Sequence, residues 1–166
     1  MSMRVLGIDP GFDRSGFAVL EKTPENKTGL LFSECFETSR ALPFFDRLHA
    51  VCDRLRHHIE TQKPECIALE KLFFSKNKKT AMNVSEMRGA VILVARDHGL
   101  PVTEYGPSTI KSSIAGDGRA GKETITRMIH RLLPLDQKKR YDDEYDAIAI
   151  SLTHLFASRG SLLRKS

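Results

Sequence analysis

Four carboxylates stand where separate elements of the chain could carry them to one point: Asp9, Glu70, Asp143 and Asp146. Asp9 closes the apolar run Val5-Leu6-Gly7-Ile8, and Glu70 closes Cys66-Ile67-Ala68-Leu69, so each is expected at the end of a buried strand. Asp143 and Asp146 open a helical pattern, and their spacing places both on one helical face. A helix start is also where acidic side chains are common for electrostatic reasons alone. Brought together, four such groups could not all stay ionised without cations, and carboxylates with water are the ligands of hard divalent metals such as Mg²⁺. In an otherwise basic chain, that chemistry suggests metal-assisted cleavage of nucleic acid.

The 166 residues fit one domain with a substantial core, expected over 1–158 and followed by a short flexible tail, 159–166. Lys plus Arg number 26 against 21 Asp plus Glu, a formal charge of +5 with a pI near 9.2. Several of the acids would be drawn into the site, leaving the remaining surface more basic than the total implies. This favours a polyanionic partner, although many proteins that never touch nucleic acid share such an excess. Cys35, Cys52 and Cys66 have no metal-ligand spacing and are expected as reduced thiols. No run approaches a membrane span, and Met1-Ser2-Met3-Arg4 leads into a strand without a cleavable apolar segment. A cytoplasmic protein is expected.

Strands are predicted near 3–9, 16–21 and 29–36, joined by a Pro10-Gly11 turn and a polar break, as an antiparallel meander. Pro43 starts a helix to about Gln62 whose apolar face holds Phe44, Leu48, Val51, Leu55 and Ile59; Arg47, Arg54 and Arg56 are assigned to its solvated face. A strand ends at Glu70, a long helix runs to about His98, and a short strand spans Pro101 to Tyr105. Ser108 is the expected cap of a helix ending at Ala115. Further helices are predicted over Lys122–Leu133 and, roughly, Asp143–Ala157. A meander followed by alternating strands and helices indicates an α/β domain, a mixed sheet covered by helices.

Each motif has a purely structural explanation beside the functional one. Gly7-Ile8-Asp9-Pro10-Gly11 alone is an ordinary hairpin with a capping Asp; only the ordered set of acids makes it specific. Phe73-Phe74-Ser75-Lys76-Asn77-Lys78-Lys79 could start a helix with its Phe side chains in the core. Beside a metal site, its aromatics could instead stack on unpaired bases while Lys76, Lys78 and Lys79 bind phosphates. Gly116-Asp117-Gly118-Arg119-Ala120-Gly121-Lys122 imitates a phosphate loop, but a helix precedes it and Glu123 follows the lysine, which excludes that motif. It is a flexible turn, or a DNA-facing loop with Lys111, Arg119 and Lys122 on the substrate side. The long helix is apolar nearly all round from Ala90 to Ala95 and needs cover on more than one side, from its own domain or from a partner. His154, eight residues beyond Asp146, could face the same side, though a lone helix histidine is usually structural.

From Leu6-Gly7-Ile8-Asp9-Pro10-Gly11 to Asp146-Ala147-Ile148-Ala149-Ile150 and Thr153-His154, the chain resembles the RuvC family of Holliday-junction resolvases, within the ribonuclease H-like superfamily. The resemblance implies a five-stranded mixed sheet flanked by helices on both faces, with the first and fourth strands adjacent. It matches Asp9, Glu70, Asp143 and Asp146 to the family's catalytic, metal-binding acids, so that Asp143 and not its neighbour Asp142 is selected. It implies two Mg²⁺ per site, with Mn²⁺ as a substitute. Phe73 matches an aromatic that approaches bases at the junction centre, and Lys111 and Lys122 match basic positions near the scissile phosphate. It also implies a homodimer paired through the long helix, with Met82, Met87, Val91 and Val94 as interface candidates, and cooperation with a branch-migration motor.

The expected activity is symmetric cleavage of four-way junction DNA. An RNA-processing nuclease with a similar acidic site and a catalytically silent junction binder are the alternatives. A nucleotide-binding ATPase of the actin-like fold, whose first hairpin also carries an Asp-Gly turn, would need a second domain for which the chain is too short.

Overall fold

The chain folds in the order β1 (Met3–Asp9), β2 (Arg14–Lys22), β3 (Thr28–Glu37), α1 (Phe44–Gln62), β4 (Cys66–Glu70), α2 (Lys78–Asp97), β5 (Val102–Tyr105), α3 (Pro107–Ala115), α4 (Lys122–Leu132) and α5 (Asp142–Leu163). This computed structural model describes residues 2–72 and 78–163, and for residues 78–80 and 159–163 only the course of the backbone.

All five strands join one sheet in the order β3-β2-β1-β4-β5. The first three form the antiparallel meander. β4 lies parallel to β1 and β5 parallel to β4, so each addition requires a crossover, supplied by α1 and then α2. Val5, Leu6 and Ile8 of the central strand are fully buried because helices cover both faces. Strand alternation divides the core in two. Leu6, Ile8, Phe17, Val19, Ile67 and Leu69 meet α1 and α2, whereas Val5, Ala18, Leu20, Cys66 and Ala68 meet α3, α4 and α5.

Several local expectations change. β2 begins at Arg14, two residues early, because Arg14 and Ser15 pair with Glu37 and Phe36 of β3. α3 starts at Pro107 with Gly106 as its cap residue, so Ser108 is inside the helix; proline's fixed φ suits the first helical position. α5 continues past Ala157 and Gly160 to Leu163. Arg47 is not solvated: its guanidinium donates to the Phe12 carbonyl at 2.8 Å and to Thr38, and pairs with Asp13. It is buried because it ties the turn after β1 to α1. Arg54 is half-buried against Glu34 of β3, which also contacts His58 at 2.8 Å.

Candidate active site

Ile8 of β1 pairs with Leu69 of β4, so Asp9 and Glu70 follow at the carboxyl ends of adjacent parallel strands, whose backbones lie about 4.8 Å apart. Alternation turns both toward α5, as it does Gly7 and Ala68. α5 can reach them because two glycines remove the obstacle. A Cβ on Gly16, the residue paired with Asp9, would collide with the Asp143 carbonyl; a Cβ on Gly7 would meet the Ala147 carbonyl and the Ser151 hydroxyl. Ser151 then donates to the Ala18 carbonyl at 3.0 Å, anchoring the helix on the sheet. The first turns of α5 are thereby lowered onto the ends of β1 and β4, and Asp143 and Asp146 join Asp9 and Glu70.

The electrostatics follow from this crowding. Asp9 is half-buried with dense protein around its carboxyl group. That burial, reinforced by Asp146, Asp143 and Glu70, pushes its pKa up to about 7, against the opposite pull of Lys122. Burial and Asp146 likewise raise Glu70, with Lys111 opposing. Burial raises Asp146, opposed by Lys122 and aided by Asp143. The reciprocal effect holds Lys122 above the usual lysine value, chiefly through Asp146 and then through its bond to Asp142. All the converging donors are oxygens, and three of them resist ionisation, so the set suits a hard divalent cation. Among the described residues, no three acidic, histidine or cysteine side chains close around a single metal position. Repulsion between unneutralised carboxylates favours such an open arrangement.

Beside the acids lies a cleft of about 290 Å³ between α3, α4 and α5. Glu70, Asp146, Lys111 and Lys122 line it, Tyr145 stands at its wall, and Ile110, Ile125 and Ile150 contribute apolar surface. Carboxylates for cations and amines for phosphate oxygens thus share one concavity. Asp142 also lines it, but its carboxylate is exposed and bound to Lys122 at 3.3 Å. Glu144 is a different case: it is buried and accepts from Ser33 and Lys138, both at 3.0 Å, in a link between α5 and β3.

The remaining expected positions divide. Lys111 and Lys122 face the cleft, whereas Arg119 is exposed and does not line it. Phe73 and Lys76 lie outside the described residues, as do the side chains of Lys78 and Lys79. Met87, Val91 and Val94 are buried against the sheet and serve the chain's own core, which corrects their assignment as interface positions. Met82 is exposed, and so is Leu93, which was not singled out. His154 shares a helix with Asp146, but eight residues place it about 12 Å along the axis. There it meets Tyr105 at 3.0 Å and Cys66 at 3.3 Å, buried and away from the acids, with burial lowering its pKa.

Two neighbours of Asp143 escaped the sequence reading. Arg14 pairs with its Oδ2 at 3.2 Å. Cys35 on β3 approaches the same oxygen at 3.8 Å, and burial followed by the Asp143 charge pushes the thiol up to about 11, so it stays protonated and donates. No local signal marks either residue, because both belong to strands that reach Asp143 only through the fold.

The family model for the crossover junction endodeoxyribonuclease RuvC matches residues 5–154. The RuvC of Moorella thermoacetica is 41% identical over 152 residues, 92% of this chain and 90% of that one. For the RuvC of Thermotoga petrophila the figures are 39% over 157 residues, 95% and 94%. Among solved structures, T. thermophilus RuvC in complex with a Holliday junction substrate superposes with a TM-score of 0.89 at 35% identity, over 96% of each chain. All four acids and both cleft lysines fall within the residues that the family model matches, and the chain belongs to the RuvC family of crossover junction endodeoxyribonucleases.

Proposed function

We propose that the chain is a Mg²⁺-dependent endonuclease that resolves four-way (Holliday) DNA junctions by symmetric paired incisions in recombination and repair. The observation that carries this reading is the convergence of Asp9, Glu70, Asp143 and Asp146 beside a cleft lined by Lys111 and Lys122. Its relatives' names and the T. thermophilus RuvC–junction complex point to the same substrate.

Asp9, whose carboxyl group feels all three of the others, would hold the divalent cations together with Glu70, Asp143 and Asp146. Bound there, a pair of divalent ions supplies activation of a water and stabilisation of the leaving oxygen. The strand ends and the first turns of α5 hold these carboxylates on rigid elements, so little reorganisation is needed when the substrate arrives. Lys122, kept charged by Asp146, and Lys111 receive the phosphodiester in the cleft. In this reading Phe73 stacks on bases at the junction centre, Lys76, Lys78 and Lys79 bind phosphates, and Arg119 adds an exposed charge toward the DNA.

A two-fold junction presents equivalent strands to a two-fold dimer, so each subunit makes one cut. The exposed face of α2, with Met82, Glu86, Gly89 and Leu93 at helical spacing, replaces the buried positions as the proposed contact. Cooperation with a branch-migration motor and a cytoplasmic location belong to the same reading. No helix among the described residues is long and apolar enough to cross a membrane.

The test is incubation with a mobile four-way junction, linear duplex and structured RNA in Mg²⁺, beside Asp9→Asn. Paired nicks in opposed strands of the junction, lost in a variant that still binds, are expected. Binding without cutting in both Mg²⁺ and Mn²⁺ would identify a silent junction binder, and cutting of RNA alone an RNA-processing nuclease.

A further inference from the structure

We propose that Arg14 is a positioning residue that, together with Cys35, fixes the Asp143 carboxylate in the orientation required for cation binding. The inference rests on the metal-dependent reading of the site and concerns what makes Asp143 an effective ligand.

Asp143 differs from the other three acids in its support. Asp9 and Glu70 extend from sheet strands, and Asp146 lies one turn inside α5, whereas Asp143 occupies the first turn of that helix. Its backbone is pressed against Gly16, but that contact involves the carbonyl and leaves the side-chain torsions open. Arg14 and Cys35 supply the missing constraint. Arg14 Nε lies 3.2 Å from Oδ2 and Cys35 Sγ lies 3.8 Å from the same oxygen. Their own placement is coupled through the sheet. Arg14 pairs with Glu37 at the start of β2, and Gly16 pairs with Cys35, so both residues are set by the same β2–β3 register that seats Asp143 on Gly16.

A second contact holds the guanidinium. Its carbon lies 5.7 Å from the centre of the Tyr141 ring, just before α5. Arg14 therefore spans the junction between β2 and the segment that opens α5. Both contacts fall on Oδ2, so Oδ1 is the oxygen that a cation would take.

Two opposing effects of the guanidinium have to be compared. Its charge repels a nearby cation, but the side chain is 47% exposed, and solvent screens that repulsion. Losing an outer partner of a ligating carboxylate, here the ion pair with Arg14 beside the thiol bond from Cys35, in contrast commonly weakens metal binding about 10–100-fold. Orientation is the larger effect, so removing Arg14 weakens the site although it removes a positive charge.

The experiment is calorimetric titration of Mn²⁺ into the DNA-free protein for wild type, Asp9→Asn, Arg14→Ala and Arg14→Gln, with folding followed by thermal melting. Arg14→Ala is expected to weaken Mn²⁺ binding at least about tenfold. Arg14→Gln, which keeps an N–H donor without the charge, is expected to recover part of that loss. Unchanged or tighter Mn²⁺ binding in Arg14→Ala overturns the proposal, and if junction binding then weakens, Arg14 is a phosphate contact instead. Equal losses in both variants accompanied by lowered melting temperatures also overturn it, in favour of a structural role. Wild-type protein that binds no Mn²⁺, or binding that survives Asp9→Asn unchanged, refutes the metal-site reading and this inference with it.

Discussion

Asp9 combines two things that oppose ionisation, dense protein around its carboxyl group and three neighbouring carboxylates. A displacement of one pKa unit corresponds to about 1.4 kcal/mol, so an unneutralised Asp9 costs the metal-free fold on the order of a few kcal/mol. Asparagine keeps the shape and removes the charge. Asp9→Asn is therefore expected to raise the melting temperature in chelator by several degrees, since about 1 kcal/mol shifts a domain of this size by roughly 2–4 °C. Mg²⁺ should stabilise the wild type and leave the variant nearly unchanged. A lower melting temperature for Asp9→Asn in chelator would contradict the crowding argument. Local context also sets one neighbouring acid apart: Glu144 lies between Asp143 and Asp146 in sequence, yet it is buried in bonds to Ser33 and Lys138.

Helices α5 and α2 show how an element's environment decides what its residues do. α5 lies close to β1 and β2 because Gly7 and Gly16 carry no Cβ, and this approach delivers the acidic pair. α2 turns Met87, Val91, Val94 and Ala95 toward the sheet and leaves Met82 and Leu93 more than 60% exposed. Two substitutions on the same helix should thus have opposite consequences. Leu93→Glu is expected to convert the proposed dimer to a monomer in sedimentation, with little change in the monomer's unfolding free energy. Val91→Ala is expected to lower stability by roughly 1.5–2.5 kcal/mol while leaving association intact, as loss of two fully buried methyl groups at about 0.8 kcal/mol each plus the cavity they leave implies. A Leu93→Glu protein that still sediments as a dimer would remove this face from the interface.

At the scale of the molecule, a single sheet separates two cores, and the chemistry gathers at one end of the face covered by α3, α4 and α5. His154 belongs to the same face but to its interior. Burial lowers its pKa from the ordinary 6.5, so the folded state resists protonation where the unfolded chain accepts it. The stability this contributes is present above about pH 6.5 and is lost as pH falls toward the folded-state value. Asp9 acts with the opposite sign: its raised value favours the fold at low pH and loses that contribution as pH rises through about 7. Comparing denaturant unfolding of His154→Gln with wild type between pH 8 and about 5 isolates the imidazole. The wild type should lose stability more steeply below about pH 6.5; parallel curves would mean that His154 does not titrate in this way.

The periodicity of the chain determined the elements and much of the candidate site. Asp9 and Glu70 close apolar runs that must become buried strands, and Asp143 and Asp146 share a face on any helix, so their local settings follow from chemistry and periods of 2 and 3.6. The order of the strands and the departure of Arg47 from its expected solvated face were decided by tertiary structure. Arg47 contacts Phe12, Asp13 and Thr38, all distant enough in sequence that no local pattern contains them. The same limit applies to Arg14 and Cys35, which meet Asp143 across more than a hundred residues. An all-round apolar stretch such as Ala90 to Ala95 states that cover is required, but not whether the sheet or another subunit supplies it. The hydrophobic effect is non-directional, so only the tertiary structure assigned Val91 and Val94 to the core and left Leu93 at the surface.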